Sequence, residues 1–255
     1  MTGSLPIGPE VRSVLIEIED GSLEIRPAAD GVSDLVYEGQ IRRGADIAED
    51  LALLEQVPVG LLAEVDSEDP TLLRVRGPSR PAQLKRRCVL GVELVVRLPA
   101  RLALVATVNG SGHLTVEDRE AAVELRTGRG DLRATGCVGS AELTTGTGMT
   151  IVYDHRGDLR VTARVGDMQV VMRECGERLR LVTGQGNVQC RVPPNTGFRL
   201  DARAEKGKLT NGFGIPVERN GYSAAMVGDR GDQRTEAVLR TSSGSLSFSY
   251  KNWDE

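Results

Sequence analysis

Residues 105–116 read VATVNGSGHLTV, and segments of the same form return as VELRTGRGDLRA at 123–134 and AELTTGTGMTIV at 141–152. Each segment has alternating apolar and polar residues on both sides of a marker glycine. These glycines are Gly21, Gly112, Gly130, Gly148, Gly166, Gly186, Gly207 and Gly244. Successive marker glycines between Gly112 and Gly166 are 18 residues apart, and the later spacings are longer. The long last spacing, from Gly207 to Gly244, indicates an inserted turn or loop. Such a period is the signature of a repeat architecture.

The apolar residues of the repeat fall in columns. In most repeats an apolar residue stands five residues before the marker glycine and another two residues after it, as Leu125 and Leu132 do. Their alternation with polar residues predicts strands with one buried face, and the glycine permits a sharp turn between them. A threonine recurs three residues before the glycine, at Thr127, Thr145, Thr183 and Thr241. We expect a structural role for it, with hydroxyls bonding along the stack and methyls packed inward.

The length of the repeat distinguishes between repeat architectures. Eighteen residues are too few for a propeller blade of about 40 residues or a βαβ unit of about 30 residues. They match one coil of a β-solenoid, in which each strand pairs in register with its equivalent one coil up, about 4.8 Å away. We therefore expect an all-β solenoid with a buried column formed by Leu125, Leu143, Val161 and Leu181. Each coil would contact only its neighbours, so the ends need caps.

The first ninety residues are a less regular opening to the solenoid. Strands are predicted at Val14–Ile25, Asp34–Tyr37, Leu72–Val75 and Val92–Leu98. Between them, the segment ADIAEDLALLEQ at Ala45–Gln56 is the one helix candidate. Its apolar residues Ile47, Leu51 and Leu54 have helical spacing, with Asp46 at its start and Pro58 after its end.

The remaining chain shows no linker rich enough in Ser, Gly or Pro to separate two domains. Pro193-Pro194 and Gly212–Gly231 indicate loops. We expect a disordered or extended N-terminus at 1–10, one solenoid domain at 11–250 and a tail at 251–255. Within that domain, 11–90 holds irregular opening coils and a possible cap, and 91–250 holds the regular repeats.

Composition narrows the functional classes. Hydrophobic residues make up 40% of the chain but aromatic residues only 3%, which suits a narrow core of medium-sized side chains. The net charge is −4 with both signs mixed, so a nucleic acid is not expected as a partner. The basic triplet Lys85-Arg86-Arg87 is too short to change that and is interpreted as a solvated loop.

The termini and cysteines bear on location. Residues 1–10 have no basic, apolar leader, and no run approaches the roughly 20 apolar residues of a membrane span. We expect a soluble, cytoplasmic protein. The four cysteines, Cys88, Cys137, Cys175 and Cys190, lack C-x-x-C spacing and are expected to be reduced thiols that hold no metal.

Two motifs carry a resemblance. Val96-Arg97-Leu98-Pro99-Ala100 has the form V-x-L-P-A that introduces coils with a T-x-S-G-D-V pattern, and Thr241-Ser242-Ser243-Gly244-Ser245-Leu246 has the form of a closing coil. Over residues 11 to 250 the chain resembles the bacterial "putative adhesin" domains of unknown function. The resemblance implies a right-handed β-helix-like fold, and no established catalytic residues come with it. We expect no cofactor and no metal.

Two short patterns resemble known binding motifs. Arg-Gly-Asp occurs three times, ending at Asp131, Asp158 and Asp232, but the repeat explains two of these glycines as turns. Asp131, Asp167 and Asn187 follow marker glycines, as in calcium-binding β-rolls, yet the spacing differs and Met149 interrupts the column. Hydrogen bonding of these side chains to the backbone of a turn is favoured over calcium binding.

A carbohydrate-active lyase or hydrolase is the alternative function. Glu124 and Glu142 could stack in one outward column continued by Arg160 and Arg180. However, Trp253 is the single tryptophan, and His113 and His155 fall in different columns without a nucleophile. An exposed groove with three carboxylates, an Arg or Lys and an aromatic wall would favour this alternative.

The favoured hypothesis is a non-enzymatic interaction or structural module. A solenoid offers flat faces and exposed end coils that can recruit proteins or stack on one another. A polar docking face is predicted from Arg126, Arg133, Arg160 and Arg180 with Glu124 and Glu142. The partner is expected to be a protein, with a homo-oligomer as one possibility.

Overall fold

Buried and outward residues alternate along most of the strands, as the repeat predicts. The computed structural model describes residues 1–29, 31–46, 48–58, 60–81 and 88–252, and the chain divides into two compact units, Met1–Arg129 and Gly130–Glu255. More than half of the described residues lie in strands, and these residues include one helix. No helix in these ranges is both long and apolar enough to span a bilayer.

The first unit contains ten strands and the helix within its described residues. These are β1 Thr2–Leu5, β2 Ser13–Ile18, β3 Gly21–Pro27, β4 Leu35–Gly44, α1 Ala48–Glu55, β5 Leu62–Val65, β6 Leu72–Arg76, β7 Val89–Leu98, β8 Ala103–Ser111, β9 Leu114–Glu117 and β10 Val123–Arg129.

Two rows of strands form the first unit. One row has the order β5–β6–β2–β8–β10 and the other β1–β4–β7–β3–β9. Pairing is parallel except for β5–β6, β1–β4 and β4–β7, which are antiparallel and border the parallel stacks. Val75, Ile16, Ala106 and Leu125 are register partners and form one buried column.

The second unit continues with eleven strands in its described part. These are β11 Leu132–Thr135, β12 Ala141–Thr147, β13 Thr150–Val165, β14 Met168–Gln185, β15 Val188–Val192, β16 Phe198–Lys206, β17 Leu209–Asn211, β18 Glu218–Asn220, β19 Ser223–Arg230, β20 Thr235–Ser243 and β21 Leu246–Tyr250.

The long strands β13 and β14 belong to both rows of the second unit. One row runs β12–β13–β14–β20–β16–β19–β18, and the other runs β11–β13–β14–β15–β21–β17. Three members of the predicted column, Leu143, Val161 and Leu181, are buried register partners, and Leu239 and Ala202 extend this column. The fourth, Leu125, is buried in the first unit. The chain is therefore all-β and solenoid-like within each unit.

The expectation that each coil stacks on the next one in sequence is wrong at two places. Strand β2 lies between β6 and β8, and β20 lies between β14 and β16. The reason is that all repeats have similar side chains at equivalent positions. A repeat that is distant in sequence can therefore pair with a strand just as favourably as the adjacent repeat can.

The marker glycines touch backbone on the neighbouring coil. Gly166 has φ +152°, and a Cβ added to it would lie 1.8 Å from the carbonyl oxygen of Gly148. The threonine column is buried, and its hydroxyls bond to these glycines instead of to each other. Thr145 donates to the Gly130 carbonyl at 3.2 Å, and Thr183 donates to that of Gly166 at 3.1 Å. The structural role predicted for these threonines is confirmed.

The helix is shorter than predicted. It spans Ala48–Glu55, and Leu54 is fully buried against Val57, Cys88 and Leu90. Ile47 lies outside the described residues, as do Lys85-Arg86-Arg87 and Trp253.

The loop predicted over Gly212–Gly231 is wrong for most of its length. It contains the hairpin β18–β19, and β19 runs antiparallel along β16 with Ala224 and Met226 buried. Before the hairpin, Phe213 packs its ring 5.0 Å from that of Phe198. The hairpin covers the outer edge of β16. The prediction of one domain over 11–250 stays a prediction.

Candidate functional site

The outer side of the strand row β12–β13–β14–β20–β16 carries most of the outward residues that the sequence singled out in the second unit. Because strand residues alternate, every second residue faces away from the core. One line of register partners across these strands is formed by Glu142, Arg160, Arg180, Val238 and Asp201. The predicted outward column of Glu142, Arg160 and Arg180 is thus confirmed.

Opposite charges face each other over much of this surface. Arg160 Nε lies 3.7 Å from Glu142 Oε1, and Arg199 Nε lies 3.7 Å from Asp229 Oδ1. Glu236 has an arginine opposite it on each neighbouring strand, Arg178 and Arg199. Such cross-strand pairs stabilise a sheet modestly, whereas like charges directly opposite each other destabilise it.

Two pairs of arginines nevertheless lie directly opposite each other. Arg203 and Arg240 are register partners, and Asp201 neutralises both of them. Arg203 Nε lies 3.0 Å from Asp201 Oδ1, and the Arg240 guanidinium pairs with the other carboxylate oxygen. Burial raises the pKa of Asp201, but the hydrogen bonds and charges of Arg240 and Arg203 outweigh it and hold the pKa below its usual value.

Arg160 and Arg180 form the second pair. Both side chains are exposed, and within the described residues no ion pair joins Arg180 to an acidic group. Arg180 has Val238 as its partner on β20, and Val182 follows two residues along β14 on the same side. We call Arg160, Arg178, Arg180, Val182 and Val238 the arginine face.

The predicted docking face has three further members, Arg133, Arg126 and Glu124. Arg133 belongs to β11 and pairs with Ile151, in the other row of strands, so its inclusion was wrong. Arg126 and Glu124 form an ion pair on β10 in the first unit. Val182, Val238 and Asp201 were missed by the sequence reasoning, although their outward position follows from strand alternation.

The aspartate and asparagine column bonds to backbone, as predicted. Asp131 accepts a hydrogen bond from the Met149 amide at 2.8 Å, and Asp167 accepts one from the Asn187 amide at 2.7 Å. The described residues contain no group of three or more His, Cys, Asp or Glu that could hold a metal ion.

The three Arg-Gly-Asp triplets have structural contacts of the same kind. Asp158 Oδ1 accepts hydrogen bonds from the amides of Glu177 and Arg178 at 2.7 and 3.0 Å. Asp232 Oδ1 accepts one from the Arg234 amide at 3.3 Å. The carboxylates of Asp131 and Asp158 therefore bond to backbone on the neighbouring coil, and that of Asp232 bonds within its own turn.

The histidines do not form a catalytic pair. His155 is buried, its Nε2 lies 3.0 Å from the Asp158 carbonyl oxygen, and burial lowers its pKa. His113 belongs to the first unit and is exposed. All four cysteines are free thiols, and three of them are buried.

One cavity of about 550 Å³ in the first unit gathers three carboxylates, those of Glu24, Glu38 and Glu93. Each is paired with an arginine; for example, Arg97 Nη1 lies 2.8 Å from Glu38 Oε1. Among the described lining residues there is no aromatic side chain, so the combination expected of a carbohydrate-active groove is incomplete.

Residues 94–248 match the family model described as "Toastrack DUF4097". The chain belongs to the Toastrack family. The matched segment includes the end of β7, every regular repeat and the whole arginine face, and the resemblance predicted from the V-x-L-P-A and closing-coil motifs is thereby confirmed. No curated protein matches this Toastrack chain.

Two solved structures are similar to this Toastrack chain. One is a "putative cell adhesion protein" from Clostridium sporogenes ATCC 15579, 10% identical, with a TM-score of 0.38 and coverage of 98% of this chain and 99% of that one. The other is a "putative adhesin" from Bacteroides fragilis NCTC 9343, 10% identical, with a TM-score of 0.44 and coverage of 97% and 96%.

Proposed function

We propose that the protein is a non-enzymatic interaction module that holds another protein on the arginine face. The observation that carries the proposal is the in-register pair Arg160 and Arg180, of which Arg180 has no acidic partner in the described residues. Arginine is enriched at protein interfaces and among the residues that contribute most to binding. Here Arg180 stands beside Val238 and Val182 on the outer side of the strand row.

No reaction is assigned in this proposal. The carboxylates of the first-unit cavity are each paired with an arginine, and the buried His155 bonds to a backbone carbonyl. We retain the finer predictions as part of the proposal: one right-handed solenoid with coils of about 18–21 residues, a cytoplasmic location and a protein partner, which includes a second copy of the chain.

Affinity capture with purified variants tests the function. We expect the wild-type chain and Arg133→Glu to retain the same partner and Arg180→Glu to lose it. Both variants reverse one exposed arginine, but Arg133 lies on the other row of strands. The captured protein is then purified and its binding to all three chains is measured by calorimetry. Equal binding by the three chains overturns the proposal.

Sedimentation velocity tests the self-association branch. If the partner is a second copy, the wild-type chain and Arg133→Glu sediment as oligomers at micromolar concentration, and Arg180→Glu sediments as a monomer. Oligomers that persist unchanged in Arg180→Glu place the contact on another surface and contradict this branch.

A further inference from the structure

The two opposed arginine pairs of the second unit differ in one respect. Asp201 lies between Arg203 and Arg240 and receives hydrogen bonds from both guanidinium groups, at 3.0 Å from Arg203. Arg160 and Arg180 have no carboxylate between them within the described residues. Glu142 contacts Arg160 from its far side, at 3.7 Å.

The chain has a candidate to fill this role, and that candidate is engaged elsewhere. Asp158 precedes Arg160 by two residues, as Asp201 precedes Arg203. Its carboxylate oxygen, however, accepts the amide hydrogens of Glu177 and Arg178 at 2.7 and 3.0 Å. The space between the two exposed guanidinium groups is therefore open to a carboxylate from outside.

Physical chemistry favours such a ligand. The backbones of neighbouring strands lie about 4.8 Å apart. Two arginines directly opposite each other on such strands therefore repel each other. A planar guanidinium presents a fork of donors that matches a carboxylate. One carboxylate held by two arginines removes the repulsion and forms charge-assisted hydrogen bonds, as Asp201 does for the first pair.

The residues around Arg180 indicate which partner side chain would fit next to the bridging carboxylate. Val238 lies opposite Arg180, and Val182 lies diagonal to Val238 across β14 and β20, both half-buried. An aliphatic side chain next to the carboxylate would cover these valines. Arg178, also exposed, stands two residues before Arg180 and has Glu236 opposite it on β20.

We infer that the arginine face binds an acidic segment of a partner protein, with a carboxylate bridging Arg160 and Arg180 and an aliphatic neighbour on Val182 and Val238. This rests on the proposed function and specifies the chemistry of its partner. The intramolecular contact of Asp201 with Arg203 and Arg240 is the model for the bridge.

Fluorescence anisotropy with a labelled peptide tests the inference. The probe contains Glu-Leu-Glu flanked by glycines, and its control contains Gln-Leu-Gln. We expect the full-length chain to bind the acidic probe, to bind the control at least about tenfold more weakly, and to lose affinity as salt rises. Arg160→Glu and Arg180→Glu should each weaken binding at least about tenfold, while Arg133→Glu leaves it unchanged.

Charge reversal provides a second readout that does not depend on loss of binding. The double variant Arg160→Glu/Arg180→Glu should bind a Lys-Leu-Lys peptide that the wild-type chain does not bind. Circular dichroism must show that this variant retains its strand content. If it is folded but binds neither peptide, the inference is wrong.

Three further outcomes overturn the inference. One is equal weakening by Arg133→Glu and Arg180→Glu, and another is competition by inorganic phosphate or anionic phosphatidylserine vesicles as strong as that of unlabelled acidic peptide. The third is absence of peptide binding by a chain whose captured partner still depends on Arg180. That last result leaves the proposed function standing, whereas a partner that is indifferent to Arg180 removes both.

Discussion

The guanidinium of Arg119 donates a hydrogen bond of 2.7 Å to the backbone carbonyl oxygen of Leu102, and its side chain is fully buried. The same guanidinium donates to the carbonyl oxygens of Leu98 and Pro99 at 3.1 and 2.8 Å. These carbonyls lie at the corner after β7, at and just beyond the V-x-L-P-A motif. The carbonyls of Leu98 and Pro99 also accept the backbone amides of Ala28 and Leu102, so Arg119 adds a second donor to them and is the side-chain donor to Leu102.

Replacement of Arg119 by leucine should destabilise the protein strongly. It removes three hydrogen bonds from a charged group, each of which contributes about 1.5–3 kcal/mol. The carbonyl oxygens of Leu98 and Pro99 keep the backbone amides of Ala28 and Leu102 as donors, whereas that of Leu102 loses Arg119. We expect the free energy of unfolding to fall by about 3 kcal/mol or more in urea titrations followed by circular dichroism. Arg101→Leu, an exposed arginine at the same corner, is the control and should change it by less than about 0.5 kcal/mol. Equal effects of the two substitutions would contradict this role for Arg119.

A methyl group at a marker glycine should be poorly tolerated. In Gly166→Ala the new Cβ would lie 1.8 Å from the Gly148 carbonyl oxygen, at φ +152°. The neighbouring coils would have to separate, and we expect a loss of about 3 kcal/mol or more in the same titration. Gly212→Ala is the control in the same unit, because its nearest contact is 3.4 Å. An effect of Gly166→Ala below about 1 kcal/mol would show that the coils are not held by this contact.

Removal of one hydroxyl from the threonine column should have a smaller effect. Thr183→Val keeps the shape of the side chain but loses the donor to Gly166, and we expect a loss of about 1–2 kcal/mol. Thr162→Val, an outward threonine two strand positions from Arg160, should be nearly neutral. If both substitutions have the same effect, the buried hydrogen bond contributes nothing measurable.

The columns of the fold were predictable from sequence, whereas the order of the coils was not. Glycine spacing and alternation are local properties, and they placed Leu143, Val161 and Leu181 in one column correctly. The position of β20 between β14 and β16 depends on which of several equivalent repeats closes the stack. The hairpin strand β19 was missed because SAAMVGDR has few β-branched residues.

The candidate site was likewise predictable only where its residues come from the regular repeat. Glu142, Arg160 and Arg180 come from consecutive repeats, so their alignment was visible in the repeat. Val238 and Asp201 reach the same line only through the inserted β20 and the strand beyond it. The difference between the bridged arginine pair and the open one could therefore be recognised only in three dimensions.

The Cys175 thiol should be unreactive while the protein is folded. Desolvation of this half-buried thiol raises its pKa to about 12, although a hydrogen bond with Thr196 acts in the opposite direction. The thiolate is the species that is alkylated, so iodoacetamide at pH 8 should label Cys175 at least about 100-fold more slowly than an exposed thiol. Introduction of an exposed thiol by Ser140→Cys provides that reference, and peptide mapping by mass spectrometry measures both rates.

The same shift predicts how stability depends on pH above neutrality. The folded-state pKa of Cys175 is raised above the ordinary value of 9.0, so the unfolded chain loses this proton first. The stabilising contribution is complete below pH 9 and declines as the pH rises towards 12. Cys175→Ala should therefore lose less stability than the wild-type chain between pH 8 and 10.5, in urea titrations at about 25 °C. The prediction is wrong if the free energy of unfolding has the same pH dependence in Cys175→Ala and in the wild-type chain. It is also wrong if Cys175 in the folded protein is labelled as fast as the Ser140→Cys thiol.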